Sequence, residues 1–146
     1  MTGHVLSVNI SAKKGGKKTP VEIGELVAGG GLLEDGHAGT GHRQLSLLAK
    51  ESIEKIREKG LEVNPGDFAE NITTSGITLH QLPVGAMIRV GPRVLLRVTQ
   101  IGKECHSRCN IFYQVGDCVM PREGIFAEVL TGGKVQAGDP VEIIPA

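Results

Sequence analysis

Tryptophan is missing from this chain, and aromatic residues make up only 3% of its 146 positions. Beside 21 Gly and 7 Pro, that scarcity describes many short elements joined by tight turns, because Gly and Pro supply the backbone angles that turns require. An excess of either charge is missing too: sixteen Lys and Arg face sixteen Asp and Glu. Without a net basic field the bulk attraction behind nonspecific nucleic-acid binding is gone, so no nucleic-acid partner is expected. No apolar run nears the roughly 20 residues that span a bilayer, and the opening MTGHVLSVNI is too polar and short for the apolar core of a secretion signal. A cytoplasmic protein with no membrane partner is the expectation. Cysteine is scarce, with three in the chain. An odd number leaves at least one thiol outside any intramolecular disulfide, and a reducing cytosol disfavours such bridges altogether. The thiols therefore read as ligands, nucleophiles or small buried side chains.

What is present suffices for one packed domain, residues 1–146. Hydrophobic residues make up 40% of the chain and are spread along all of it, and a chain of this length buries roughly 70% of its unfolded surface without a staple. Residues 4–10, HVLSVNI, alternate as a strand does, and SAKKGGKKTP then reads as a solvated basic loop. Strand-like alternation resumes after Pro20, breaks at Gly29-Gly30-Gly31, and turns at Asp35-Gly36 and Gly39 before residues 44–48. The apolar spacing of Ile53 and Ile56, with a charged opposite face and Gly60 as a stop, predicts an amphipathic helix over residues 49–59. Residues 85–90 and 94–100 form a hairpin around Gly91-Pro92. Two further strands follow the cysteine segment, with turns at Gly132-Gly133 and Gly138-Asp139. The pattern predicts a mainly β, barrel-like domain with one clear helix and short helical turns.

All three cysteines fall in GKECHSRCNIFYQVGDCVMPREG, residues 102–124. Cys105 and Cys109 make one loose pair, whereas a structural zinc site uses two well-spaced pairs, so zinc is the weaker reading. A reactive thiolate asks only for a nearby positive charge or oriented N–H groups. Arg108, His106 and Arg122 supply candidates, and Ser107-Arg108 favours Cys109, while Cys118 reads as a small buried residue. EDGHAGTGHRQLSLL sets His37, His42 and Arg43 in a Gly-rich turn, where two His are most simply polar loop residues. NPGDFAENITT carries Glu70, an acid, base or Arg partner, and Asn71, which can offer donor and acceptor together or simply form a turn.

Taken in order, DGHAG..HRQLSLL, PGDFAENITTSGI.L..LPVGA.IRVG, L.VTQIGKECHSRC and GDCVMPREGIFAEVL.GG.V..GD.V resemble the stand-alone bacterial proteins of the MOSC domain family. The resemblance covers nearly the whole chain. The family also supplies the C-terminal domain of molybdenum cofactor sulfurases and occurs in the amidoxime-reducing molybdenum proteins, and it implies a largely β-stranded barrel that handles the molybdenum cofactor (molybdopterin) or its sulfur.

The family's defining Cys matches Cys109, which ends the triplet Ser107-Arg108-Cys109. In the amidoxime-reducing branch that Cys ligates molybdenum, which implies reduction of N-hydroxylated compounds with electrons from a separate donor. In the sulfur-carrier alternative the same position bears a persulfide received from a cysteine desulfurase. A thiolate suits both roles. A bland alternative is an interaction module in which Cys109 is merely buried. By the same resemblance Ser107, Arg108, Arg43, His37, Glu70, Asn71 and Arg122 are candidate cofactor contacts, Arg108 and Arg43 as grips for the phosphate. The chain departs from the amidoxime-reducing branch at Ala69-Glu70, where that branch carries Arg-Pro, and follows the stand-alone bacterial pattern at His37, Arg43, Glu70, Arg122 and Glu123. Pyridoxal phosphate belongs to the desulfurase partner domain of fused sulfurases and is not expected in this chain.

Overall fold

A computed structural model describes residues 2–11, 18–33, 35, 44–102 and 123–144. The N-terminal third contributes β1 (Thr2–Ile10), β2 (Thr19–Val21), β3 (Ile23–Val27), β4 (Gly31–Leu32) and β5 (Leu45–Ala49). The helix α1 (Lys50–Arg57), β6 (Ile72–Ser75), a 3-10 turn (Leu79–Gln81), β7 (Met87–Val90) and β8 (Val94–Ile101) follow. The chain finishes with β9 (Ile125–Thr131), β10 (Gly133–Gln136) and β11 (Pro140–Ile144). Hydrogen bonding runs β11-β7-β8-β9-β5-β6-β1, and β1 returns to pair with β11, so seven strands close into a barrel. Every neighbouring pair is antiparallel except β5 with β6. Closure leaves no free edge along these strands, which is how a mostly β domain avoids templating its own aggregation.

β1 closes the barrel with one half and extends it with the other. Thr2–His4 pair with β11, while Val8–Ile10 pair with β2. A bulge between Val5 and Ser7, opposite Thr74 and Thr73, shifts the alternation that the sequence suggests. Val5 and Val8 both enter the core, Leu6 turns outward, and Asn9 is fully buried on the other face. A bulge inserts one extra residue and so exchanges the faces beyond it.

The barrel interior is aliphatic, built from residues such as Leu45, Leu47, Ile72, Ile88, Leu96, Ile125 and Val141. A second core lies outside the barrel wall, where Ile53 and Ile56 of α1 meet Leu48, Val63, Phe68 and Phe126. All five residues of β5 are buried for this reason. Leu45, Leu47 and Ala49 face inward, and Ser46 and Leu48 lie beneath α1 and the segment 61–70.

Three details differ from expectation. The helix spans eight residues because turns closed by Lys59 N to Ile56 O and Gly60 N to Arg57 O (both 3.0 Å) take over at its end. Gly60, at φ 94°, stands where an L side chain is strained. The C-terminal region holds three strands instead of two. The backbone at Gly132 lies so close to β3 that a Cβ there would sit 2.4 Å from the Leu26 carbonyl oxygen, so the chain crosses to pair β10 with β3. Lastly, β10-β3-β4 is a separate small sheet. Among the described residues no helix is long and apolar enough to cross a membrane.

Candidate functional site

The segment that carries Glu70 and Asn71 is shaped by its turn residues. Pro65 and Gly66 form a tight turn closed by Asp67 N donating to Asn64 O at 3.0 Å, with Gly66 at φ 93°. That is the type II geometry which favours Pro then Gly. A Cβ at Gly66 would lie 2.2 Å from the Lys18 carbonyl oxygen, so a side chain is excluded both by conformation and by space. A second turn, Ala69 N to Gly66 O at 3.0 Å, places Ala69 at φ 65°. An alanine in this region carries about 1 kcal/mol of strain, held in place by its neighbours.

These two turns set Glu70 and Asn71 against the outer face of β1, β5 and β6, where both are fully buried. Asn71 joins the strands: its N–H donates to the Ser46 carbonyl (2.9 Å), its Oδ1 accepts from Ser46 N (3.0 Å) and Oγ (3.1 Å), and its Nδ2 donates to Asn9 O at 3.4 Å. Glu70 Oε2 accepts from Gly66 N (3.1 Å) and Thr73 Oγ1 (2.8 Å). Asn9 Nδ2 reaches Thr73 Oγ1 (3.1 Å) and the Glu70 carbonyl (3.2 Å), while Ser7 Oγ donates to Asn9 Oδ1 (2.6 Å). Only Glu70 Oε1 lacks a donor in this network. Burial pushes the Glu70 carboxyl above the usual carboxylate range, outweighing the hydrogen bonds from Gly66 and Thr73 and the smaller pull of the Glu70 and Phe68 N–H groups, which act the other way.

A second polar cluster surrounds Glu123. Its Oε1 accepts from Ser52 Oγ at 2.6 Å and its Oε2 from Lys55 Nζ at 2.7 Å. Burial alone would raise this carboxyl, but the hydrogen bonds from Lys55 and Ser52, with the charges of Lys55 and His80, outweigh it and hold Glu123 below the usual carboxylate range. His80 Nδ1 lies 3.9 Å from Oε1. The cluster lines a cleft of about 380 Å³ between the start of α1, the end of β6 and the 3-10 turn. Elsewhere Lys18 and Asp35 form a buried ion pair (Nζ to Oδ1 2.8 Å and to Oδ2 3.0 Å).

Of the residues singled out from the sequence, Glu70, Asn71 and Glu123 are described. Cys105, Cys109, Cys118, His37, Ser107, Arg108, Arg43 and Arg122 lie outside the described residues. Glu70 and Asn71 share one network, and Glu123 belongs to the other. Ser52, Lys55, His80, Asn9 and Ser46 join these clusters without having been singled out. Asn9, the sole amide in an otherwise strand-like apolar run, was the available signal. Among the described residues no group of three or more His, Cys, Asp and Glu could hold a metal ion.

The strand register relates the two regions. Ile101, Ile125, Leu47 and Ile72 stand in one row across β8, β9, β5 and β6. Asn71 sits one position before that row on β6. Gly102 sits one position after it, just past β8, and since β8 and β6 run the same way it lies on the opposite side of the row from Asn71, bonded through its N–H to Gly124 O at 2.6 Å.

A sequence model of the MOSC domain matches residues 34–142. The crystal structure of the YUAD protein from Bacillus subtilis superposes with a TM-score of 0.81 at 20% identity, covering 98% of this chain and 96% of that one. YiiM from Geobacillus stearothermophilus gives 0.73 at 21% identity over 98% and 75% of the two chains. YiiM from Escherichia coli gives 0.68 at 26% identity over 100% and 71%. No curated protein sequence matches this one significantly.

Proposed function

This chain belongs to the MOSC domain family, and from that premise we propose that it binds the molybdenum cofactor with Cys109 as the thiolate ligand to molybdenum and reduces N-hydroxylated compounds. The net change is R–NHOH plus two electrons and two protons to R–NH2 plus water, with the electrons drawn from a separate donor. Bound cofactor supplies the electron transfer. A soft thiolate is a fitting ligand for a thiophilic metal centre.

The observation that carries this reading is the Ser107-Arg108-Cys109 triplet, which falls within the MOSC match over residues 34–142. Gly102 and Gly124, which bracket the triplet in sequence, are joined by a hydrogen bond from Gly102 N to Gly124 O. The row of Ile101, Ile125, Leu47 and Ile72 leads from these glycines across the wall to β6, with Gly102 on its Thr73 side and Glu70 and Asn71 on the other. One atom there fits a pterin: Glu70 Oε1 is buried without a hydrogen-bond partner, and the edge of a pterin ring offers both N–H groups and ring nitrogens, which suit the carboxylate and the protonated carboxyl respectively. Asn71, whose amide is bonded to Ser46 and Asn9, acts by positioning Glu70. Expression in a host that makes the cofactor, followed by molybdenum and pterin analysis, is the test. Stoichiometric molybdenum that is lost in Cys109→Ser is expected. Unchanged molybdenum in Cys109→Ser, or none in the wild type, overturns the proposal.

A further inference from the structure

We propose that the outer face of the small sheet β10-β3-β4 pairs with the same face of a second copy of this chain, related to it by a two-fold axis. One side of this sheet belongs to the core, where Leu26, Leu32 and Val135 are buried. The other side carries Ile23, Glu25 and Val27 of β3, all of them exposed.

A strand with one face in water ordinarily alternates apolar inside with polar outside, and β3 breaks that rule twice. Ile23 is 54% exposed and Val27 42%, and Leu33, just past β4, is 48% exposed. Leu33 stands beside Glu25, because its N–H donates to the Glu25 carbonyl at 2.9 Å. Apolar residues exposed singly need no explanation. These three share one face, however, out of seven large apolar side chains that stand exposed among the described residues.

Charge selects the partner. Lys134 of β10 stands directly opposite Glu25 in the register, and its side of β10 is exposed. Among the described residues neither Glu25 nor Lys134 takes part in an ion pair. Together they leave the face without net charge, so it exerts no pull on nucleic acid or on an acidic lipid surface. They do make it complementary to itself. A two-fold axis between two such faces, parallel to β3 and midway between β3 and β10, sets Glu25 over the partner's Lys134 and Lys134 over the partner's Glu25, as an isologous interface requires. The same axis offsets Ile23 from the partner's Ile23 by about one strand spacing, roughly 4.8 Å, so the two side chains interdigitate, and it treats Val27 alike. A standard interface buries about 800 Å² per partner, more than the outer face of three short strands offers, so the association is weak and depends on concentration.

Sedimentation of the full chain at concentrations up to about 1 mM, the scale of weak complexes, tests this on the wild type, Glu25→Lys and Lys134→Glu. The wild type is expected to gain mass as concentration rises. Each variant sets like charges against each other and should associate more weakly by about tenfold or more. An equimolar mixture of the two variants should associate at least as strongly as the wild type, because both charged contacts of the mixed dimer then join a Lys to a Glu. Both changes are at exposed positions, and recovery in the mixture checks that the variants are folded. A wild type that stays monomeric throughout overturns the proposal, and if Ile23 and Val27 are then shielded from a dissolved paramagnetic agent, the rest of the chain is what covers them. Association unchanged in both variants, or a mixture no better than either variant alone, overturns it equally. Sedimentation needs no molybdenum cofactor, so its outcome is independent of the function proposed above.

Discussion

Replacing Asn71 with Ala tests whether the residue that the family resemblance assigns to the cofactor is first a fastener of the barrel wall. The substitution removes Oδ1, which accepts from Ser46 N at 3.0 Å and from Ser46 Oγ at 3.1 Å. The hydroxyl has a second acceptor in the Ala69 carbonyl at 3.2 Å, so the Ser46 N–H is the group left without a partner. Ser46 is 1% exposed, so no water replaces the lost acceptor. A buried donor left unpaired costs about 1–3 kcal/mol, and the lost bond to Oγ adds roughly another 1 kcal/mol. The Nδ2 contact to Asn9 O, at 3.4 Å, adds little. The sum is about 3 kcal/mol, which at a urea slope of about 1.5 kcal/mol/M lowers the unfolding midpoint by about 2 M. The assay is urea unfolding of cofactor-free protein followed by far-ultraviolet circular dichroism. Ser46→Ala and the double variant complete a cycle that isolates the pair. A loss below about 1 kcal/mol in Asn71→Ala would refute the fastening role and leave Asn71 with no part in the stability of the cofactor-free fold.

Two further perturbations probe the buried charges. Burial raises the Glu70 carboxyl above its ordinary value of 4.5. The protonated form is therefore the one the fold prefers, and its stabilisation is complete below the unfolded value and is lost as pH rises through the folded one. Glu70→Gln, which retains a carbonyl oxygen for Gly66 N and Thr73 Oγ1, should remove this slope. The variant should gain on the wild type between acid and neutral pH in urea midpoints, and a difference that stays constant with pH would contradict the assignment. For the ion pair of Lys18 and Asp35, with side chains 0% and 1% exposed, Lys18→Met removes the ammonium from a buried carboxylate, which keeps its hydrogen bond from Ser11 N at 3.0 Å, and should cost about 3 kcal/mol. Lys18→Met with Asp35→Leu should recover most of that loss in thermal unfolding, and a double variant no better than the single one would show that the pair is not the source.

Where the sequence was legible, local chemistry decided the outcome. The hairpin of β7 and β8 turns at Gly91, whose φ of 64° suits glycine, just where Gly91-Pro92 interrupts two apolar runs. Ile53 and Ile56 bury one face of α1 as their spacing requires. Pro65-Gly66 forms the turn that such a pair favours. The bulge in β1, by contrast, leaves no mark in HVLSVNI, because it depends on which residues of β6 lie opposite. Asn9 looked like the polar half of an alternating strand and is buried, since the segment 64–70 folds over it from more than fifty positions away. The Glu123 cleft was equally hidden, because its side chains come from α1, the 3-10 turn and the approach to β9.

The sequence by itself determined the class of the domain, the positions of most turns, one amphipathic helix and membership of a family, all of which rest on residue types and spacings close along the chain. Tertiary structure alone decided which polar residues meet. Closing seven strands into a barrel puts residues distant in sequence side by side on its outer wall. There desolvation and hydrogen-bond geometry make Asn71 a fastener, leave Glu70 with one oxygen without a donor, and aim Glu123 and His80 into a common cleft.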